Sequence, residues 1–338
     1  MRIAHVICTT NFAGVERHVL TLAEGLAARG HEILILGGAE TDMRDSTSGT
    51  PIAWFPYTSF QNATRWIWSL DYVDLVHVHM TYAEAAAAIS ARRRFPVVCT
   101  RHFAARRGSS WPAKLAGRWL SRRIDLQIAI SYFVASHIEG PSTVVYPGVP
   151  VATPGPPAGE RLPVVLMAQR LEREKHTEVG ISAWAESGLA NLGWELHIAG
   201  EGRERHRLEE EVDRLGVATS CRFLGYRQDV ATLQRSASIF LATTPEEGLG
   251  LSVLEAMSAG TPVVATASGG HAETVGGVTG AATYSPQDAP AAGQLLTQLA
   301  GDPQERDAYG NRLREHQLKH FSIKSQVSAT LNAYGKVC

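Results

Sequence analysis

Cysteine is scarce in this chain and follows no motif. Its four thiols, Cys8, Cys99, Cys221 and Cys338, are far apart and form no C-x-x-C pair. That excludes a disulfide scaffold and the common zinc motifs, and it fits a reducing compartment. Long apolar runs are also missing, so no membrane-spanning helix is expected. The amino-terminal stretch MRIAHVICTTNFAGVE has too short an apolar core for a signal peptide and reaches an acid at Glu16. It reads as a first buried strand, which places the protein in the cytoplasm as an expectation. Neither sign of charge dominates: 32 Lys+Arg against 33 Asp+Glu leave a net charge of −1. A generic polyanion binder is thereby excluded, although local patches are not. The first strand-to-helix turn, CTTNFAGVE, lacks G-x-G-x-x-G and so disfavours a nicotinamide enzyme. No D-x-D triplet occurs, so nothing suggests a metal ion bridging a diphosphate.

What is present is a regular alternation. With 338 residues and 44% hydrophobic composition the chain can bury two cores. Strand-like runs at 2–8, 31–36, 75–79, 96–100 and 126–130 alternate with helix-length segments. Among these, 14–29 carries Val15, Val19, Leu22 and Leu26 at helical spacing. The Pro/Gly-rich segment 146–163, YPGVPVATPGPPAGERLP, breaks the pattern and reads as a linker. Behind it the alternation resumes, with strands at 164–168, 194–199, 221–224, 239–242 and 262–265. Helices fall at 174–187, 204–215, 230–235 and 251–259, and near the end at 303–317 and 323–334. The expected fold class is α/β: two Rossmann-like domains, 1–150 and 151–320, facing each other across a cleft.

The most specific segment is 245–260, PEEGLGLSVLEAMSAG. Glu247 lies in the loop before a helix and Glu255 near the middle of that helix. Gly248 and Gly250 straddle its start and permit close approach of a ligand to the backbone, and first-turn amides favour an anion. Phosphate at the helix start with hydroxyls on the two carboxylates matches a nucleotide sugar. Arg170 and Lys175, in AQRLEREK, stand over another strand-to-helix turn and can neutralise a diphosphate leaving group. An ordinary salt bridge among Glu172, Arg173 and Glu174 is the structural alternative there. Two further strand ends, IAGEG with Gly202 and FLGYR with Tyr226 and Arg227, fall in glycine-containing loops. In the first domain FAGVER supplies Gly14 and Glu16. His77 and His79 alternate on one strand and His102 follows the next. No Cys, Asp or Glu completes a clear metal set around them, so a buried, satisfied histidine is the reading for His77.

The segment 245–260 with its following TPVVA strand resembles the donor-binding signature of the retaining glycosyltransferases of family four, which have the GT-B fold. The resemblance implies that Glu247 contacts donor sugar hydroxyls and Glu255 the ribose, and that amides near Gly248, Leu249 and Gly250 meet the phosphates. It implies the leaving-group role for Arg170 and Lys175, a nucleotide-base pocket at Gly202, Tyr226 and Arg227, close approach to the donor at Gly14, and a cleft position for His102 at the donor sugar or the reacting groups. It further implies that segment 321–338 crosses back to pack on the first domain, and that no metal or other cofactor is needed. The sequence departs from the family at Ala13, where a first glycine is usual, at His176, where glycine usually follows the lysine, and at Pro147-Gly148-Val149-Pro150, where Asn-Gly-Val-Asp is frequent.

The implied reaction moves a hexose-type sugar from a nucleotide diphosphate sugar, UDP-sugar being the commonest donor, to a hydroxyl acceptor. A nucleotide-sugar epimerase of the same fold is the alternative, and a non-catalytic interaction module a more remote one. Between Ala91 and Ile124 there is no acid but ten bases: Arg92, Arg93, Arg94, Arg101, Arg106, Arg107, Lys114, Arg118, Arg122 and Arg123, with Trp111 and Trp119 among them. Residues 92–123 are therefore open to two readings, a contact with an anionic membrane or acceptor, or a solvated arginine-rich face. No nucleic-acid motif accompanies them.

Overall fold

The computed structural model describes residues 1–10, 13–91, 94–108, 117 and 119–338. The chain folds as two units, Met1–Gly148 with Ile323–Cys338, and Val149–Ser322.

The first unit is built on a seven-stranded parallel sheet. Its strands are β1 (Arg2–Ile7), β2 (Glu32–Gly37), β3 (Ile52–Phe55), β4 (Leu75–His79), β5 (Val97–Arg101), β6 (Leu126–Ala129) and β7 (Thr143–Val144). Their order is β3-β2-β1-β4-β5-β6-β7. Side chains alternate between the two faces, and both faces are covered, so the central strands are buried on both, mostly apolar but with His5, His77 and His79 among them. Ile3, Ile7, Ile33 and Ile35 face the helices Gly14–Ala27 and Ile323–Tyr334. Ala4, Val6, Leu34 and Leu36 face the helices Phe60–Ser69 and Thr81–Ser90. The terminal helix Ile323–Tyr334 thus completes the core of this unit, with Val327 and Tyr334 fully buried.

In the second unit the strands are β8 (Leu162–Ala168), β9 (Glu195–Ala199), β10 (Cys221–Gly225), β11 (Ala237–Ala242), β12 (Val263–Thr266) and β13 (Thr283–Tyr284). They form a parallel six-stranded sheet in the order β10-β9-β8-β11-β12-β13. Strand order reverses between β8 and β11, and in the first unit between β1 and β4. In open α/β sheets the carboxyl ends at such a reversal leave a crevice for ligands. Both units are Rossmann-like.

Three short strands, β3, β7 and β13, and the helices Gly269–Thr274 and Ala289–Gly301 were not legible in the sequence pattern. The helix expected over 174–187 is divided. Arg173–Lys175 forms a single 3-10 turn, His176 adopts a left-handed conformation (φ 49°), and the α-helix runs Thr177–Ser187. Segment 146–163 is not wholly a linker, since β8 begins at Leu162.

The long helix Pro303–His320 shows how local sequence sets a boundary. Asp302 precedes Pro303, and its carboxylate accepts from the Glu305 amide at 2.8 Å. Proline at the first helical position lacks the N–H that would otherwise need a partner. Asp302→Ala is expected to cost about 1 kcal/mol, read as a small fall in the urea midpoint with an unchanged m-value.

Candidate functional site

The site of the second unit grows from the carboxyl ends of β8, β9 and β11. Backbone bonds continue beyond the strands, with the Gln169 amide donating to Ala199 O at 3.0 Å and the Leu171 amide to Glu201 O at 2.8 Å. Gly202 lies so close to this extension that a Cβ would sit 2.2 Å from Leu171 O. The Gln169 side-chain amide donates to the Lys175 carbonyl (3.2 Å) and to Thr177 Oγ1 (2.9 Å), and approaches Thr243 Oγ1 (3.2 Å). The Thr243 hydroxyl also donates to the Lys175 carbonyl, at 2.7 Å. The backbone of Lys175 is therefore tied to both strands at the reversal of order, which fixes where its side chain starts.

From there Lys175 Nζ donates to Glu247 Oε2 at 2.6 Å, with side chains 16% and 26% exposed. Burial alone would raise the Glu247 carboxyl. The Lys175 ammonium outweighs it through its field and hydrogen bond, helped by His271 and the Gly248 amide, so the group lies below the ordinary carboxylate range. His271 is buried beside this pair and pushed down to about 4, chiefly by burial; the Glu247 charge opposes the shift. Its Nδ1 lies 3.0 Å from Thr266 Oγ1.

The Glu247 loop is held by the next strand-to-helix turn. Ser268 Oγ donates to Pro245 O at 2.7 Å and the Gly270 amide to Glu247 O at 2.7 Å. Gly250 caps the helix Leu251–Ser258 with φ 92°, a left-handed conformation that favours glycine, and its missing Cβ makes room for the His271 ring. At Gly270 a Cβ would meet Leu249 Cα at 2.3 Å and Gly248 O at 2.7 Å, both backbone. Gly270→Ala must therefore push the loop away. The expected cost is about 1–3 kcal/mol of stability, read as a lower urea midpoint.

Of the residues singled out in sequence, Lys175, Glu247, Gly248, Leu249 and Gly250 converge here. Leu249 is buried, and Glu255 is half-buried on the helix that Gly250 caps. The amides of that helix's first turn have no intrahelical acceptor, as at any helix start. Arg170 is exposed and turned to Glu174 at 3.0 Å. Tyr226 is 70% exposed, and Arg227 is paired with Asp229 at 2.7 Å. His271, which completes the surroundings of Glu247, was missed; the signal available was its place after the glycine pair of SGGHAE.

In the first unit Gly14 is exposed and opens the helix Gly14–Ala27. Glu16 is buried and accepts hydrogen bonds from the Thr9 hydroxyl and from the Ala13 amide at 2.9 Å, closing the loop that precedes the helix. Phe12 lies outside the described residues. His102 is buried, with Nε2 3.1 Å from His79 Nδ1. His77 is hydrogen-bonded at both ring nitrogens, to the Tyr334 hydroxyl and Thr100 Oγ1, each at 2.7 Å. His5 and His18 join these rings, which no motif had shown.

The basic stretch divides. Arg101 and Arg107 are buried and paired with Glu84 and Glu139, acids that lie outside the acid-free window. Arg94 donates to the carbonyls of Trp68, Leu70 and Asp71. Arg106, Arg122 and Arg123 are exposed, while Arg92, Arg93, Trp111, Lys114 and Arg118 lie outside the described residues. Arg101 and Arg107 are thus no part of a solvent- or membrane-facing basic surface. Among the described residues no helix is long and apolar enough to cross a membrane.

Comparison with known proteins matches these two units separately. Residues 154–316 match the family described as glycosyl transferases group 1, and residues 12–153 the family described as glycosyltransferase family 4. A lipopolysaccharide core biosynthesis mannosyltransferase, LpcC of Rhizobium leguminosarum bv. viciae, is 29% identical over 236 residues, covering 65% of this chain and 67% of its own. A glycogen synthase of Mycobacterium tuberculosis is 26% identical, covering 95% of this chain and 90% of its own. Among solved structures, Anabaena Alr3699/HepE in complex with UDP and glucose superposes with a TM-score of 0.82 at 20% identity, covering 98% of this chain and 99% of that one. A glycosyltransferase from Rickettsia africae gives 0.82 at 18% identity, covering 99% and 98%. The fold is GT-B.

Proposed function

Because the chain belongs to the glycosyltransferases of family four, we propose that it moves a hexose-type sugar from a nucleotide diphosphate sugar to a hydroxyl acceptor with retention at the anomeric carbon. The observation that carries this reading is the Lys175–Glu247 pair at the β8/β11 reversal, beside the helix start at Gly250. A cation and first-turn amides together suit a departing diphosphate, whose charge grows as the bond to the sugar breaks. Glu247 remains ionised beside Lys175 and accepts hydrogen bonds from sugar hydroxyls. Glu255, farther along the same helix, suits the ribose.

In the proposed reaction the bond between the anomeric carbon and the diphosphate oxygen breaks, and the acceptor oxygen forms its bond on the same face. The acceptor proton passes to the departing diphosphate. The protein supplies position and charge; of the two donor-loop carboxylates, Glu247 is occupied by Lys175 and Glu246 is exposed. Binding of UDP to the structural relative supports UDP as the nucleotide.

Calorimetric titration with UDP-, GDP- and dTDP-sugars tests this reading. One nucleotide class is expected to bind at one site per chain, and Glu247→Gln to weaken the sugar-dependent part while sparing the free nucleotide. If no nucleotide sugar binds, the reading fails. If donor alone is converted to an isomeric nucleotide sugar, the protein is an epimerase.

A further inference from the structure

We propose that His18, His79 and His102 form a zinc-binding site at the carboxyl edge of the first sheet. The inference goes beyond the transferase reading and rests on the first unit alone. Strand register creates the cluster. His79 ends β4, His102 follows β5, and His18 is on the first helix. One ligand nitrogen from each of the three lies within 4.8 Å of the other two.

The spacing suits a metal. Zinc–imidazole bonds of ~2.0–2.1 Å at tetrahedral angles put ligand nitrogens ~3.3 Å apart and ring centroids ~5.2 Å apart. Here His79 Nδ1 and His102 Nε2 are 3.1 Å apart. The ring centroids are separated by 4.9 Å (His18–His102), 5.4 Å (His79–His102) and 6.0 Å (His18–His79). The planes are mutually inclined at 39–85°, as rings radiating from one point would be and stacked rings would not.

An outer partner is in place. His79 Nε2 lies 3.2 Å from His5 Nδ1. Such a contact orients a metal-bound imidazole. The histidines do not otherwise close into a complete hydrogen-bond network, since His5 Nε2 is buried without a partner. Of the three, His102 also lines a cavity of about 130 Å³ with Met80, Phe103 and Arg106. The neighbouring triad of His5, His77 and His79 fits less well. His77 is hydrogen-bonded at both nitrogens, and its centroid is only 4.3 Å from that of His79.

The untagged full chain, stripped with chelator, is titrated with Zn²⁺ alone by calorimetry and with Co²⁺ by visible absorption. One equivalent should bind, with the intense absorption of tetrahedral cobalt. His18→Asn and His79→Gln should abolish binding, and His5→Asn, which removes the outer partner of His79, should weaken it about 10–100-fold. His18 is on the first helix rather than in the sheet, so His18→Asn remains informative if His79→Gln, in a central strand, fails to fold. Absence of stoichiometric binding, an octahedral cobalt spectrum, or binding that survives His18→Asn would overturn the site. None of these readouts depends on sugar transfer.

Discussion

Lys175→Met is expected to lower kcat for sugar transfer about 10²–10³-fold, the range for removing one preorganised charge partner of a transition state. The variant loses the cation proposed to face the departing diphosphate. It also leaves Glu247 in a largely buried position where burial alone raises a carboxyl. The two effects are separable by pH. In the native protein Glu247 titrates below the ordinary carboxylate range, so its contribution to stability is present above the unfolded value, about 4.3. That contribution is lost only as pH falls through the lower folded value. Without Lys175 the sign reverses, and the acid limb of kcat/KM should move to higher pH. Glu247→Gln removes the titration and keeps the side chain's size, so its activity loss should be similar and its acid limb should lack the shift. The double variant should lose little more than either single one, because the two groups act as a unit. Near-normal turnover in both single variants would rule out the proposed site.

Why this pair was legible and its neighbours were not follows from where the information lies. Lys175 and Glu247 each sit in a loop directly after an apolar run, and each loop has a local pattern of charge and glycine. That the two loops meet depends on β8 pairing with β11, a neighbour relation that strand alternation alone does not specify. His271 is on the helix Gly269–Thr274 after β12 and reaches Glu247 only because β12 is the next strand over. His5 and His77 are register partners across β1 and β4, a relation with no local sequence signature. The left-handed backbone at His176 was signalled only by the glycine that the resemblance led one to expect there. Short edge strands were missed because two residues, as in β7 and β13, carry no period at all.

Arg101 and Arg107 drop out of the arginine-rich surface for a related reason: charge counted along a chain ignores pairing across a sheet. Arg107 lies beyond β5, yet its Nε donates to Glu84 on the helix that follows β4, and it also reaches Glu139 and, at 2.9 Å, Gln127 Oε1. The Cys99 thiol adds a hydrogen bond to Glu84 at 2.9 Å. The side chains of Arg107 and Glu84 are 2% and 1% exposed. Burial opposes the Arg107 charge, but Glu84 and its companions more than restore it, so the guanidinium is held more firmly protonated than usual. Arg107→Met should therefore destabilise the first unit by about 3–5 kcal/mol, the cost of leaving a buried charge without its partner. Glu84→Gln should cost less, since Arg107 keeps Glu139 and the amide oxygen still accepts from it. A pair that is costly to break need not be strongly stabilising in itself. The double variant Glu84→Leu/Arg107→Met should accordingly recover part of the loss, because it removes both charges together. Chemical denaturation followed by a probe in the first unit measures all three. A loss in Arg107→Met no larger than that of an exposed arginine would mean that Glu84 finds water or another cation, and the stretch would again be read as a surface.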